Sequence, residues 1–210
     1  MSATDVSQPA SGGGDLCEIS VLLRKLCGSK VLIVGIGNVL KGDDAVGPLF
    51  CQRAAGRLCV KVVDAGTVPE NYIEYIKKCK CRNVLIVDAI DFEAPPGSVR
   101  IFTRDRIGFF AFSTHVLSPR LFADLIAADI TGDLYFIGIQ PAHTHFGQPV
   151  SAEVNHAIET VVAILSQLFP LSQHYKHHSN LQNVDFMVGH SSDNSNSHCP
   201  GIGRSGAARE

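Results

Sequence analysis

The sequence predicts an α/β domain of three layers (α/β/α), in which helices cover both faces of a five-stranded, mostly parallel mixed sheet with one antiparallel strand. Four short apolar runs rich in β-branched residues have the character of strands buried on both faces: Val31–Ile36, Val60–Asp64, Val84–Ile90 and Tyr135–Ile139. Helix-like segments alternate with these runs, and such alternation is typical of a parallel sheet.

A fifth run, Val99–Thr103, alternates between apolar and polar side chains, as expected of a strand at the edge of the sheet. The link from Ile90 to Val99 contains Pro95 and Pro96. Because this link is too short for a helical crossover, the fifth strand is predicted to run antiparallel to the others.

Three helices have recognisable signals. Thr67 and Glu70 have the spacing of a capping box at the start of one helix. Ser118 is predicted to cap another, which Gly132 would end. A last amphipathic helix is indicated by the apolar stripe Val154, Ile158, Val161, Val162 and Leu165.

The segments outside this core differ from it in composition. Residues 1–28 begin polar and glycine-rich, so this extension is expected to be partly disordered, with a short helix at Leu16–Leu26. The folded domain is expected to span residues 29–170. Residues 171–210 have too few apolar side chains to offset the entropy of ordering, so a disordered polar tail is predicted. Five of the nine histidines lie in that tail, where a solvated segment is favoured over a metal site.

Composition argues against several classes of protein. A net charge of −2 gives no basic surface for nucleic acid. No apolar run approaches the roughly 18 residues of a membrane-spanning helix, so no membrane insertion is expected. The seven cysteines are odd in number and include no CxxC pair, which favours free thiols over a disulfide framework. Without a secretion signal at the N-terminus, a cytoplasmic protein is expected.

Carboxylates gather at one predicted edge of the sheet. Asp43 and Asp44 follow the first strand through a glycine-rich turn, Asp64 ends the second strand and Asp88 ends the third. Ligands of open α/β sheets bind outside the carboxyl ends of the strands. Acids packed this closely raise one another's pKa unless a cation or a helix N-terminus compensates their charge. A helix predicted around Pro48 would supply such an N-terminus to Asp43 and Asp44.

His115 adds an imidazole to this edge from a glycine- and phenylalanine-rich segment. Together, Asp44, Asp88 and His115 would suit zinc, nickel, iron or manganese, and the residue types do not choose between these metals. His143 and His145 follow the last strand and face the same edge, but they are not predicted to be primary ligands.

A dinucleotide site is the alternative interpretation of the first turn. Gly35 and Gly37 begin a G-x-G-x-x-G pattern, and Asp64 could hold a ribose. However, Leu40 occupies the third glycine position. The adjacent acids Asp43 and Asp44 would also repel a pyrophosphate. The turn therefore favours a cation over a dinucleotide.

Six short motifs occur in a fixed order between about Lys30 and Phe169. They are Gly35–Pro48, Asp64–Asn71, Leu85–Ala89, Pro96–Gly97, Ser113–His115 and Gly138–Pro141. In this order and spacing they resemble the signature of the nickel–iron hydrogenase maturation endopeptidases. The segments Pro69–Asn71 and Gly138–Pro141 resemble the branch that processes hydrogenase 3-type large subunits. The fold implied by the resemblance is a five-stranded mixed sheet between helices.

The resemblance implies a function, a partner and a site. Such enzymes remove a short C-terminal extension from the hydrogenase large-subunit precursor once nickel has been inserted. By motif position, Asp44, Asp88 and His115 fall on the residues that bind metal and are needed for cleavage. The implied ion is the nickel carried by the precursor. The residues expected to face the substrate or to support the site are Gly37, Asn38, Asp43 and Asp64.

Two alternatives remain open from the sequence. One is a non-proteolytic nickel-binding or nickel-sensing protein on the same fold, and the other is a nucleotide-dependent oxidoreductase. The chain also departs from the family pattern at Ala45, where many relatives have glycine, and in its long tail after Pro170. Neither departure touches Asp44, Asp88 or His115.

Overall fold

A computed structural model of the chain describes residues 19, 21, 23–107, 111–112 and 118–171. Within these ranges the strands are β1 (Val31–Ile36), β2 (Lys61–Gly66), β3 (Asn83–Asp91), β4 (Val99–Thr103), β5 (Ala111–Phe112) and β6 (Leu134–Ile139). The α-helices are α1 (Val46–Ala54), α2 (Ile73–Lys78), α3 (Arg104–Ile107), α4 (Pro119–Ala127) and α5 (Ala152–Leu168). Single 3₁₀ turns at Gly42–Ala45 and Pro69–Tyr72 precede α1 and α2.

The sheet has the strand order β2-β1-β3-β6-β4. The first four strands are mutually parallel, and β4 pairs antiparallel with β6 at the edge of the sheet. This arrangement confirms the predicted fold class, including the antiparallel edge strand. The sequence did not predict β5, whose two residues pair antiparallel with Ile90 and Asp91 of β3.

The core lies on both faces of the sheet. Side chains such as Ile33 and Leu85 point to one face and pack with α1 and α5. Their chain neighbours Leu32 and Ile86 point to the other face and pack with α2 and α4. Because successive side chains of a strand alternate between the faces, a central strand of this sheet must be apolar throughout. This requirement accounts for the continuous apolar runs in the sequence.

Two predicted helix signals are wrong. No side chain caps the 3₁₀ turn at Pro69–Tyr72, whose N-cap residue is Val68, so Thr67 and Glu70 do not form a capping box. Helix α4 ends at Ala127, well before Gly132. Gly132 serves a different purpose, because a Cβ atom there would lie 2.3 Å from Asn83 Oδ1. The predicted cap of α4 is confirmed, since the Leu121 N–H donates to Ser118 Oγ at 3.2 Å.

The five cysteines within the described ranges are free thiols. This observation agrees with the predicted absence of a disulfide framework for that part of the chain. No helix in the same ranges has both the length and the apolar character needed to cross a lipid bilayer.

The two ends of the described chain contact the domain in different ways. Ile19, Leu23 and Leu26 are buried in the core on the α1 and α5 face of the sheet. At the other end, the Cys59 N–H donates to the carbonyl of Phe169, shortly before the predicted tail begins, at 2.9 Å. The contacts therefore place a part of residues 1–28 in the core.

Chains shortened at the two ends are expected to differ in stability. A chain ending at Pro170 should keep its midpoint of thermal unfolding within about 2 °C, because the last contacts with the core are retained. A chain lacking residues 1–27 should lose about 1.5 kcal/mol or more for each of its three missing core side chains. Thermal and urea unfolding monitored by circular dichroism measure both effects. A large loss of stability or activity on removal of the tail would show that the tail belongs to the domain.

Candidate active site

The turn after β1 folds back against the end of its own strand. Gly37 has a φ of +147°, and a Cβ atom there would lie 1.9 Å from the Asp44 carbonyl oxygen. The Asn38 N–H donates to that same carbonyl at 3.0 Å. Only glycine permits this approach, since any side chain would collide with the backbone. The turn therefore returns Asp43 and Asp44 to the carboxyl end of β1.

Asp43 is fully buried and joins three segments of the chain. Its carboxylate accepts hydrogen bonds from the backbone N–H of Ala142 (2.8 Å), His143 (3.3 Å) and Ser151 (2.7 Å), and from the Ser151 hydroxyl (3.0 Å). Its own N–H donates to the His143 carbonyl at 3.0 Å. A buried carboxylate needs such donors to offset its lost hydration. Asp43 thus fixes the loop after β6 and the N-cap of α5 to the first turn.

Substitution of Asp43 by asparagine is expected to destabilise the fold by about 3 kcal/mol. The asparagine amide has one oxygen, so it can accept hydrogen bonds from only some of the four donors. Its NH₂ group would face the other donors, which would lose their acceptor. The measurement is urea unfolding, with Asp105→Asn on the exposed surface of α3 as the matched control. The control should change the free energy of unfolding by less than about 0.5 kcal/mol. Equal stability of Asp43→Asn and the wild type would contradict the structural role of Asp43.

Asp88 lies where β1 and β3 diverge. Val87 is the last residue of β3 that pairs with β1, whereas pairing with β6 continues from Asp88 to Ala89. The strand itself runs on to Asp91, so Asp88 lies within β3 and does not end it as predicted. Asp88 is 1% exposed, and its Oδ1 accepts a hydrogen bond from the Ala89 N–H at 2.7 Å.

Asp44 lies in a turn that contacts the same strand. It is fully buried in the 3₁₀ turn Gly42–Ala45, which packs against β3. In the strand order β2-β1-β3-β6-β4, the chain leaves β1 towards β2 on one side and leaves β3 towards β4 and β6 on the other. The boundary between β1 and β3 is therefore the topological switch point. The fold therefore places Asp44 and Asp88 at the position where open α/β sheets bind ligands.

Asp64 lies one strand away, in β2, opposite Gly35 of β1. Its Oδ1 accepts a hydrogen bond from the Gly66 N–H at 2.9 Å. Burial raises the pKa of Asp64, and the Gly66 N–H offsets only part of that effect. Its negative charge adds to burial in raising the pKa values of Cys51 and Tyr72. Asp64 is thus a partly buried acid at the same edge of the sheet, and its neighbours are Gly66, Cys51 and Tyr72.

His115 lies outside the described residues, as do residues 108–110 and the rest of 113–117. The nearest described residue before it is Phe112 of β5, which pairs with Ile90 of β3. The nearest described residue after it is Ser118, the N-cap of α4. Among the described residues, no three His, Cys, Asp or Glu side chains are grouped so as to hold a metal ion. The prediction that Asp44, Asp88 and His115 form one site therefore stays a prediction.

His143 packs against the first turn. A Cβ atom on Gly42 would lie 2.7 Å from His143 Nδ1, so glycine is needed there for the imidazole to fit. Nδ1 is buried and has no hydrogen-bond partner within the described part of the chain. His145 is farther along the same loop and is not buried. The structure thus brings His143 against the turn that carries Asp43 and Asp44.

Two residues that organise the site were missed by the sequence analysis. Gln140 accepts from the Phe92 N–H at 2.8 Å and donates to Asp91 at 3.0 Å, which lowers the pKa of Asp91 and holds the start of the β3–β4 link. Its place in the Gly138–Pro141 motif was the available signal.

Ser151 caps α5 through the Val154 N–H at 3.4 Å. A serine three residues before the first apolar position of a helix is an N-cap signal.

Comparison with known proteins identifies similar sequences. A family model described as hydrogenase maturation protease matches residues 50–168. The hydrogenase 3 maturation protease of Escherichia coli K12 is 36% identical over 133 residues, which are 62% of this chain and 85% of that protein. A putative hydrogenase maturation protease of Methanocaldococcus jannaschii is 33% identical over 163 residues, which are 70% of this chain and 96% of that protein.

Solved structures show the same architecture. The crystal structure of a [NiFe] hydrogenase maturation protease from Thermococcus kodakarensis KOD1 aligns with a TM-score of 0.63 at 29% identity, and covers 70% of this chain and 97% of that one. The solution structure of an endopeptidase from Escherichia coli aligns with a TM-score of 0.60 at 33% identity, and covers 66% of this chain and 90% of that one.

Proposed function

Because this chain belongs to the hydrogenase maturation proteases and is therefore a hydrolase, we propose that it removes the C-terminal extension of a nickel–iron hydrogenase large-subunit precursor after nickel insertion. The precursor is its partner and its substrate. The hydrogenase 3 maturation protease of Escherichia coli supports a precursor of the hydrogenase 3 type. The single observation that carries the proposal is the placement of two buried carboxylates, Asp44 and Asp88, at the switch point of the sheet.

Asp44, Asp88 and His115 are proposed to recognise the nickel ion carried by the precursor. Oxygen and imidazole ligands suit a divalent metal of this type. Phe112 lies beside Ile90, two residues from Asp88. The three-residue link from Phe112 to His115 spans at most about 11 Å, so His115 is within reach of this end of β3. This reach supports a shared site for the three side chains.

By binding the nickel ion, the site would also position the peptide bond that is cut. If Asp44, Asp88 and His115 held the precursor's nickel, the peptide bond next to it would be held in a fixed position relative to the protease. Such positioning supplies a large part of the rate enhancement of many enzymes. Asp43 is proposed to support this arrangement through its buried hydrogen bonds. Asp64, which is only partly buried, is proposed to face the substrate.

Gly37 and Asn38 are proposed to support the site through the shape of the first turn. Gly37 allows the backbone of Asp44 to approach, and the Asn38 N–H donates to the Asp44 carbonyl. Both residues therefore fix where the backbone of Asp44 lies in the folded protein, and this role requires no contact with the precursor.

The test is incubation of the purified protein with a purified, nickel-loaded precursor. Mass spectrometry should show the loss of one C-terminal peptide and its release into solution. A large subunit that already lacks the extension is the control and should keep its mass. Binding of nickel without cleavage of the precursor would contradict the proposal and would favour the non-proteolytic nickel-binding alternative.

A further inference from the structure

We propose that an exposed apolar surface beside the carboxylate site docks an apolar segment of the precursor polypeptide. We call this surface the apolar rim. Its members are Val39, Leu40, Val68 and Phe146. This inference rests on the function proposed above, since it assigns the rim to the same substrate.

The rim is exposed although its side chains are large and apolar. The exposed fractions are 63% for Val39, 56% for Leu40, 41% for Val68 and 69% for Phe146. Single exposed apolar residues are common on proteins and need no explanation, whereas a contiguous apolar surface is typical of an interaction site. The position of these four side chains relative to one another is therefore the deciding observation.

Backbone hydrogen bonds hold the three loops of the rim together. The Gly37 N–H donates to the Gly66 carbonyl at 2.9 Å, which joins the loop after β1 to the loop after β2 that carries Val68. The Gly147 N–H donates to the Leu40 carbonyl at 2.8 Å, which joins the loop after β1 to the loop that carries Phe146. All three loops follow the carboxyl ends of parallel strands, so the rim lies on the same edge of the sheet as the acids.

The backbone around Leu40 is also fixed locally. The Leu40 N–H donates to Asn38 Oδ1 at 2.9 Å, and the Lys41 N–H donates to the Asn38 carbonyl at 3.1 Å. These bonds hold the loop in one conformation while its apolar side chains face solvent. A surface that is already ordered loses less conformational entropy when a partner binds.

The precursor is the occupant that the location favours. Asp44 and Asp88 are 0% and 1% exposed, so a partner that brings a metal ion to them must approach across the loops that surround them. Leu40 is four residues from Asp44 in the chain, and its carbonyl accepts a hydrogen bond from Gly147, the neighbour of Phe146, so the rim borders the turn that carries Asp44. A precursor that carries its cation next to an apolar segment would complement both the carboxylates and the apolar rim. An anionic lipid surface would instead be repelled by the carboxylates.

The experiment uses the full chain and the nickel-loaded precursor. Leu40→Ser and Phe146→Ser are each expected to raise KM and the precursor Kd about 10-fold, and the double variant about 100-fold, because each serine removes the burial of one large apolar side chain. The kcat at saturating precursor should stay within about twofold of the wild-type value, since the reacting groups are unchanged. Leu125→Ser, at a 40% exposed position on α4, is the matched control and should leave KM unchanged.

The outcomes distinguish a failure of the docking proposal from a failure of the proposed protease function. A double variant with wild-type KM and Kd would overturn docking at the rim while cleavage by the wild type still supports the protease function. A reduced kcat with an unchanged KM would also overturn docking, because the effect would then lie in the chemical step. Should the double variant fail to fold, Leu40→Met and Phe146→Leu, which stay apolar, must restore KM relative to the single serine variants. A wild-type protein that leaves the precursor intact would overturn both proposals.

Discussion

Replacement of Asp44, Asp88 or His115 is expected to abolish cleavage of the precursor while the fold stays intact. Asp44→Asn and Asp88→Asn keep the shape of the buried side chains and remove one negative charge each. In Asp88→Asn, the side-chain carbonyl could still accept the hydrogen bond from the Ala89 N–H. If these three residues bind nickel as proposed, loss of one should weaken nickel binding by more than about 10- to 100-fold. That range is typical for substitution of residues that only hydrogen-bond to a ligand. Cleavage assays, calorimetric nickel titration and thermal unfolding measure the three consequences separately.

Asp64→Asn is the matched control for these substitutions. It removes an acid from the same edge of the sheet, and the amide can still accept from the Gly66 N–H. Cleavage should fall less than in Asp88→Asn, because Asp64 is assigned a supporting or substrate-facing role. If Asp64→Asn proved as damaging as Asp88→Asn, the proposed set of ligands would be wrong.

The stability of Asp64→Asn has a predictable pH dependence. Burial raises the pKa of Asp64 in the folded protein, so the folded state holds its proton more tightly than the unfolded state does. The wild type therefore loses stability as the pH rises through the range in which Asp64 ionises, and the asparagine variant lacks this loss. At neutral pH the variant should be at least as stable as the wild type, and the difference should shrink as the pH falls and Asp64 takes up its proton.

Much of the fold could be predicted because the central strands are buried on both faces. β1 and β3 must be apolar at nearly every position, and this leaves a signal in a single sequence. The antiparallel direction of β4 followed from the short link between Ile90 and Val99. β5 has only two residues, and no periodicity can be recognised over such a length.

The different surroundings of the two adjacent acids could not be predicted from the sequence. Asp43 and Asp44 are neighbours of the same chemical type, and both are fully buried. What distinguishes Asp43 is a set of hydrogen bonds to Ser151, which is 108 residues away in the chain. Gly132 illustrates the same limit, since it looked like a helix end and is required by a close approach to Asn83. Contacts between distant segments leave no local pattern.

Cleavage is expected to depend on nickel in the substrate. The three proposed ligands would leave coordination positions for groups that the precursor supplies, so one ion could be held by both partners. A nickel-free precursor would lack this bridge and would bring no cation to the buried carboxylates of Asp44 and Asp88. We expect it to be cut at least about 100-fold more slowly, since a displacement of about 1 Å in the reacting groups can cost that much.

The measurement compares two preparations of one purified precursor, with and without nickel, in the presence of this protein alone. Gel mobility or intact mass follows the loss of the extension over time. Adding nickel to the nickel-free preparation, under conditions in which the precursor incorporates it, should restore cleavage. An unrelated protein substrate should stay intact in both cases, because it offers neither the ion nor the docking segment. Equal cleavage of the two preparations would show that the protease recognises the polypeptide alone, and the assignment of Asp44, Asp88 and His115 to nickel recognition would then be wrong.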